Sequence, residues 1–174
     1  MRMERQPEGK PFGPLPDPYF DHLVEANHTF AEQIRTADQK AAYVFTFLLA
    51  LLVWSADARH AFSLSAYPAM TPHGAAISAV FALAVLCALI GAITTIIPRN
   101  AEGGTSLYWG AWPAAGNRLA EARKTGDPAF LYDEYFRNAG TLAGIARSKY
   151  RRVAFTLWSL VLGVLGYGLL LATM

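Results

Sequence analysis

Two short charged segments contain the residues best suited to bind a small anion. The first is "RTADQK" at residues 35–40, and the second is "RSKYRR" at residues 147–152. Guanidinium groups bind phosphate through paired hydrogen bonds, so a pocket between the two segments would suit a phosphate-bearing ligand. The charged residues that this pattern predicts as ligand contacts are Arg35, Asp38, Lys40, Arg147 and Arg151.

Two aromatic residues between the charged segments could complete such a pocket. "LYWGAW" places Tyr108 and Trp109 side by side, and either ring could stack on a base. The simpler interpretation is that Arg35 and Asp38 form an exposed ion pair, worth well under about 1 kcal/mol. Lys40 would then reach the lipid headgroups with its long side chain. The spacing leaves both interpretations open.

The rest of the sequence has no pattern typical of catalysis or metal binding. "EGGTS" is not followed by the Gly-Lys-Ser/Thr of a phosphate-binding loop. Cys87 is the single cysteine, and no two of the four histidines have the spacing of metal ligands. We therefore expect no enzyme activity, no catalytic residue, no metal and no cofactor. The net charge of +2 does not indicate a nucleic-acid partner, and we expect no DNA or RNA to bind.

The apolar residues, 53% of the chain, are gathered in three blocks. A membrane-spanning helix needs roughly 20 apolar residues, and the second and third blocks have that length. The first block is slightly short, and the alternative for it is a core helix of a soluble protein. The predicted spans are residues 41–56, 74–97 and 153–173.

The distribution of Lys and Arg predicts the orientation of these spans. Residues 1–40 carry five basic residues, the short loop at 57–73 carries one, and residues 98–152 carry nine. Cytoplasmic segments are enriched in Lys and Arg. We therefore expect the N-terminus and the segment 98–152 in the cytoplasm, with the short loop and the C-terminus outside the inner membrane.

Two long helices should position the charged segments. Residues 1–16 are rich in Pro and Gly and indicate a flexible lead, after which Asp17 and Asp127, each followed by Pro, are typical helix starts. No Gly or Pro separates residues 17–40 from the first span, and apolar residues recur there every three or four positions. The same pattern enters the third span.

The predicted fold class is therefore an all-α membrane protein with three spans. Its first and third transmembrane helices should extend into the cytoplasm as long amphipathic helices. We expect these two extensions to pack with opposite chain directions. Between them, loops and one short helix around residues 117–124 are predicted.

Some polar and small residues allow two interpretations each. Asn27 lies on the apolar stripe of the first helix, where it either faces water or makes a polar contact that fixes helix register. Gly140 and Gly144 form a Gly-xxx-Gly pattern, and Gly163, Gly166 and Gly168 cluster in the third span. Small residues let helices approach closely, within one chain or between copies.

The order of the motifs resembles a known family. "RTADQKAA" enters the first span, "IIPR" closes the second, and "LYWGAW" precedes "FLYDEYFRNAGTLAGIARSKYRRVAF", which enters the third. Over about residues 19–160 this arrangement is similar to the transmembrane effector of Pycsar antiphage systems. The resemblance implies a separate nucleotide cyclase that makes cyclic CMP or cyclic UMP on infection. It also implies an effector that senses this nucleotide and impairs the membrane, causing abortive infection.

The expected function is thus an antiphage effector that reads a cyclic pyrimidine mononucleotide through its cytoplasmic helices. Its expected partners are that nucleotide, the lipid bilayer, the cyclase and further copies of the chain in a homo-oligomer. The sequence leaves open a non-enzymatic membrane scaffold that recruits a partner through the same helices. A small transporter subunit is a weaker alternative, because the spans contain no charged residue.

Overall fold

A computed structural model describes residues 17–98, 104–127 and 129–173, so the predictions for residues 1–16 and Pro128 lie outside the described residues. Five α-helices and two short 3-10 turns make up the regular structure, and the described residues contain no strand. This confirms the all-α fold class. The helices are α1 (Pro18–Trp54), α2 (Ala56–His60), α3 (Pro72–Ile96), α4 (Trp112–Thr125) and α5 (Ala129–Thr173).

α1 and α5 are unbroken helices of 37 and 45 residues. The Asp17 carboxylate accepts a hydrogen bond from the Tyr19 amide at 2.9 Å, and that of Asp127 accepts one from the Ala129 amide at 3.0 Å. Both predicted helix starts are therefore confirmed, since each side chain satisfies an amide that lacks a partner within the helix.

α1 ends two residues before the predicted end of the first span. Ser55 leaves the helical conformation, and its hydroxyl accepts a hydrogen bond from the Ala58 amide at 3.0 Å. The same hydroxyl lies 2.9 Å from that of Tyr167 on α5. Ser55 thus starts the short helix α2 and joins the end of α1 to α5.

Three helices, α1, α3 and α5, are long and apolar enough to cross a membrane. They pack against one another around Leu48, Phe81 and Val85, which are almost completely buried. The opposite faces expose large apolar side chains such as Leu83, at 63%, and Leu165, at 62%. Such faces suit contact with lipid tails, which do not penalise apolar exposure.

α1 and α5 run parallel, so the predicted opposite directions are wrong. Asn27 contacts Asn138 and Asp38 contacts Lys149, and both pairs are separated by 111 residues in the chain. A constant difference between paired residues is possible only for parallel helices. The physical reason is topological, because two helices that start on the same side of a membrane and each cross it once must point the same way.

The segment between α3 and α5 contains a longer helix than predicted. α4 spans Trp112–Thr125 and ends where Gly126 adopts the left-handed conformation, with a φ of 66°. Glycine is favoured there because it has no Cβ to clash with the backbone.

Two of the three glycines clustered in α5 allow close packing within the chain. A Cβ added to Gly163 would lie 3.6 Å from Val85 Cγ2, and one added to Gly166 would lie 3.3 Å from Phe81 Cβ. A Cβ at Gly168 would meet no described atom within 4 Å. Gly163 and Gly166 therefore belong to the surface of α5 that contacts α3, whereas Gly168 does not.

Replacing Gly166 by Leu should destabilise the protein, because the larger side chain would push α3 away from α5. Overpacking of this kind costs about 1–3 kcal/mol. The matched control is Gly168→Leu, two residues away in the same helix, which should leave stability nearly unchanged. The measurement is the midpoint of thermal unfolding in detergent micelles. Equal effects of the two substitutions would contradict the packing described above.

Candidate functional site

A buried lysine joins three helices where their polar and apolar parts meet. Lys149 Nζ on α5 donates hydrogen bonds to the Asp38 carboxylate on α1 and, at 2.8 Å, to the Thr95 carbonyl on α3. The Lys149 side chain is 4% exposed, against 34% for Asp38. A buried ammonium group is costly unless it is paired and hydrogen-bonded, so these two acceptors determine how the helices meet.

A second cation of α5 binds the same end of α3. Arg152 Nη1 donates a hydrogen bond to the Thr94 carbonyl at 2.6 Å. The carbonyls of Thr94 and Thr95 belong to the last turn of α3, where carbonyls lack partners within the helix and carry a partial negative charge. Lys149 and Arg152 together satisfy this helix end.

Two asparagines form the contact nearer the N-termini of α1 and α5. Asn27 Nδ2 donates to the carbonyls of Leu23, at 2.8 Å, and Tyr135, at 3.0 Å. Its Oδ1 accepts a hydrogen bond from Asn138 Nδ2 at 2.7 Å. Asn27 is 7% exposed, so the water-facing interpretation is wrong and the helix-to-helix polar contact is confirmed.

The loop before α4 is attached to α5 by two further polar contacts. The amide of Ser106 donates to the buried carboxylate of Glu134. The Thr105 hydroxyl lies 3.3 Å from Asn138 Oδ1 and donates to it. These contacts hold the loop beside the asparagine pair, where it covers one side of the space between α1 and α5.

A cavity of about 520 Å³ lies between the asparagine pair, Asn27 and Asn138, and the lysine cluster, which is Lys149 with Asp38 and Thr95. Its polar lining includes Asn27, Asn138, Asp38 and Lys149, and Tyr108 from the loop lies along its side. Most of the remaining wall is apolar and comes from Ile34, Ile96, Leu107, Leu142 and Ile145. An apolar cavity with a few polar groups, in the range of about 300–1,000 Å³, is typical of small-molecule sites.

The predicted site residues divide between the cavity and the outer surface. Asp38 and Tyr108 line the cavity, and Asp38 pairs with Lys149. Arg35 is exposed on α1, and Lys40 lies over the ring of Tyr150, with 5.7 Å from Nζ to the ring centroid.

The other predicted contacts do not line the cavity. Arg147 and Arg151 are exposed on α5 and are absent from its lining. The side chain of Trp109 lies outside the described part of the structure. A role for these residues and for Arg35 in ligand binding stays a prediction.

Sequence reasoning missed Lys149 and Asn138, which the structure places at the cavity. A signal for Lys149 exists, because it lies three residues after Ala146 and four before Val153, both on the predicted apolar face. A lysine at such a position must find acceptors inside the protein. Asn138 lies four residues before Leu142 on the same face and has an equivalent signal.

In a comparison with known protein families, residues 22–174 match the Pycsar effector protein domain. Comparisons with curated proteins and with solved structures gave no match. The matched range contains α1 from its fifth residue onward, all of α3 and α5, and every residue of the cavity described above. The chain therefore belongs to the Pycsar effector protein domain family and is a membrane-protein effector of antiphage defence.

Proposed function

We propose that the cavity between α1 and α5 binds a cyclic pyrimidine mononucleotide, cyclic CMP or cyclic UMP, and that binding leads to impairment of the inner membrane. The observation that supports this most directly is the composition of the cavity. It combines the side-chain amides of Asn27 and Asn138, the ammonium group of Lys149 and the ring of Tyr108. A cyclic nucleotide likewise has a polar base edge, a flat ring face and a single phosphate.

The asparagine pair suits recognition of the base. A side-chain amide offers both donors and an acceptor, so it can bind the donor and acceptor pattern of a pyrimidine edge. Asn27 and Asn138 are about 11 residues, or roughly 16 Å, from the lysine cluster along the helices. Tyr108 also lines the cavity, and its ring could contact the flat face of a base.

Lys149 suits the phosphate and would connect binding to helix packing. The ammonium group already has the Asp38 carboxylate as its partner. A phosphate in the cavity would compete with Asp38 for Lys149 and would repel that carboxylate. Ligand binding would then weaken the contact between α1 and α5, and the equilibrium would shift by the difference in ligand affinity for the two arrangements.

The unbroken helices would carry this change to the membrane. In the proposed orientation, the N-terminal parts of α1 and α5 lie in the cytoplasm and their apolar parts cross the inner membrane. No glycine or proline interrupts α1 after its first residue, so a displacement near Asp38 would reach the apolar part of the helix. The damage to the bilayer would follow from altered packing of the spans.

A membrane scaffold that recruits a soluble partner is the second candidate. It is favoured by aromatic side chains that are exposed outside the apolar spans, Trp112 at 52% and Phe136 at 61%. A scaffold would use these surfaces without any nucleotide and without damaging the bilayer. Leakage measurements separate the two functions.

Liposomes that contain the purified protein should release a trapped dye when one pyrimidine cyclic nucleotide is added. Cyclic CMP, cyclic UMP, cyclic AMP and buffer alone are compared, and cyclic AMP should give no more release than buffer. No release with either pyrimidine nucleotide, from protein shown to be inserted and folded, would contradict the proposed function and favour the scaffold.

Replacing Asn138 by Ala should weaken nucleotide binding about tenfold, since it removes the amide that faces the base while leaving the apolar wall. A tenfold loss corresponds to about 1.4 kcal/mol, the size of one or two hydrogen bonds. Titration calorimetry in detergent measures the affinity, and the thermal midpoint checks the fold. The matched control, Asn117→Ala on the exposed face of α4, should bind normally. Unchanged affinity in a folded Asn138 variant would exclude that side chain from the site.

Arg147 and Arg151 do not line the cavity, and their predicted role in the nucleotide response is tested separately. Replacing both by Ala should abolish the leakage response and leave membrane insertion intact if that prediction is correct. Arg123→Ala, which removes an exposed arginine from α4, is the control. Leakage and nucleotide affinity are both measured. Loss of leakage with normal affinity would show that the two arginines act in a step that follows nucleotide binding. An unchanged leakage response would remove them from the site.

A further inference from the structure

We propose that copies of the chain pack side by side in the membrane, with α5 of one copy against α1 of the next. Two outward surfaces carry this inference. The basic face of α5 consists of Arg137, Gly140, Gly144, Arg147 and Arg151. The acidic face of α1 consists of Asp21, Glu25 and Glu32.

The basic face points away from its own copy. Its five residues follow one another at steps of three or four, so they lie along one side of the helix. Asn138 and Lys149, which contact α1, lie on the opposite side of α5. A Cβ added to Gly140 or Gly144 would meet no described atom within 4 Å. Packing within the described chain therefore does not explain these two glycines, and a neighbouring helix would.

The acidic face has the complementary charge. Asp21, Glu25 and Glu32 lie along one side of α1, all exposed, and residues 18–34 contain no Lys or Arg. Within the described residues, the ion pairs are Lys124 with Glu121 and Lys149 with Asp38, so none involves either face. The basic face contains one acid, Asp133, one turn before Arg137. Arg35 is exposed three residues after Glu32 on the same side of α1, so the acidic face ends in one base. Three acids and one base on α1 then oppose three bases and one acid on α5, and the net charges of the two faces remain opposite.

The membrane brings these two faces to the same height. Copies inserted in the same direction are aligned along the bilayer normal, and a residue of α1 lies level with the α5 residue 111 positions later. Glu25 is therefore level with residue 136, next to Arg137. Glu32 is level with residue 143, next to Gly144 and about one helical turn from Arg147.

Head-to-tail packing fits this arrangement better than a symmetric pair. The two faces lie on opposite sides of one copy, so each copy offers both surfaces and the contact can repeat. A pair formed by two basic faces would place Arg137 opposite Arg137 and Arg147 opposite Arg147. Like charges at such short range are unfavourable. Head-to-tail contacts form a ring when the rotation closes and an open row when it does not.

Disulfide cross-linking between two differently tagged variants tests this contact. Both carry Cys87→Ser, which removes the native cysteine; one adds Glu32→Cys and the other Gly144→Cys. Cysteines form a disulfide only when their Cα atoms come within about 7 Å. Oxidation in reconstituted membranes, with and without cyclic CMP or cyclic UMP, should give a mixed dimer when both variants are present. Neither variant alone should cross-link.

The control replaces Glu32→Cys by Gln33→Cys, an exposed position roughly 100° around the same helix. Its cross-linking yield with Gly144→Cys should be at least fivefold lower. Three outcomes would each overturn the proposal. They are cross-linking of the Gly144→Cys variant with itself, equal yields from positions 32 and 33, and no cross-link under any condition.

A charge exchange supplies an independent test that retains the same cysteines. Glu25→Arg on one variant, or Arg137→Glu on the other, should each lower the mixed-dimer yield severalfold. Combining them restores opposite charges and should restore most of the yield. A double exchange no better than the single ones would overturn the charge pairing. The cross-linking yield does not depend on a nucleotide response. Failure of the packing proposal can therefore be distinguished from failure of the proposed function.

Discussion

The buried ammonium group of Lys149 is the constraint on which the arrangement of the three long helices depends. It lies inside the protein only because Asp38 and the Thr95 carbonyl accept its hydrogen bonds. Those acceptors come from two other helices, so one side chain sets the lateral contacts of α1, α3 and α5. Removing any partner would leave a buried charge or carbonyl unsatisfied, which is far more costly than losing a surface ion pair.

The same interaction explains why a cavity exists beside it. Lys149 and Asn138 fix the register of α5 against α1 at two heights separated by 11 positions, and both contacts are polar. Between them the helices present aliphatic side chains such as Ile34 and Ile145, which leave a space of about 520 Å³. A ligand entering this space meets Lys149 and Asn138, which also hold α5 to α1. In the proposed function, a ligand that bound Lys149 or Asn138 would therefore compete with the contacts between α1 and α5.

Patterns among neighbouring residues were enough to predict the helices. Which side chains lie between the helices depends on contacts between distant residues and could not be predicted. The helix cap at Asp17 and the lengths of the three apolar segments depend on neighbouring residues alone. The fold class could therefore be predicted from the sequence. Which cation of residues 147–152 turns inward depends on the relative rotation of α1 and α5, which no local pattern specifies. The cations of this segment that bond to α3 are Lys149 and Arg152, and the ligand contacts predicted at Arg147 and Arg151 stay a prediction. The parallel direction of α1 and α5, in contrast, follows from the number of spans, because the first and third of three spans cross the membrane in the same direction.

The separation of inward and outward charges gives the cavity and the outer faces different roles. Lys149 and Arg152 find acceptors within their own chain, while Arg137 and Arg147 face outward. The outward side of α1 carries Asp21, Glu25 and Glu32 and no Lys or Arg over residues 18–34. In the proposed array, each copy contacts its neighbours through α1 on one side and α5 on the other. A ligand that weakens the Asp38–Lys149 contact would change the angle between these two faces. Because the angle between the faces determines whether a head-to-tail array closes, a small change within one copy would be repeated at every contact along the membrane.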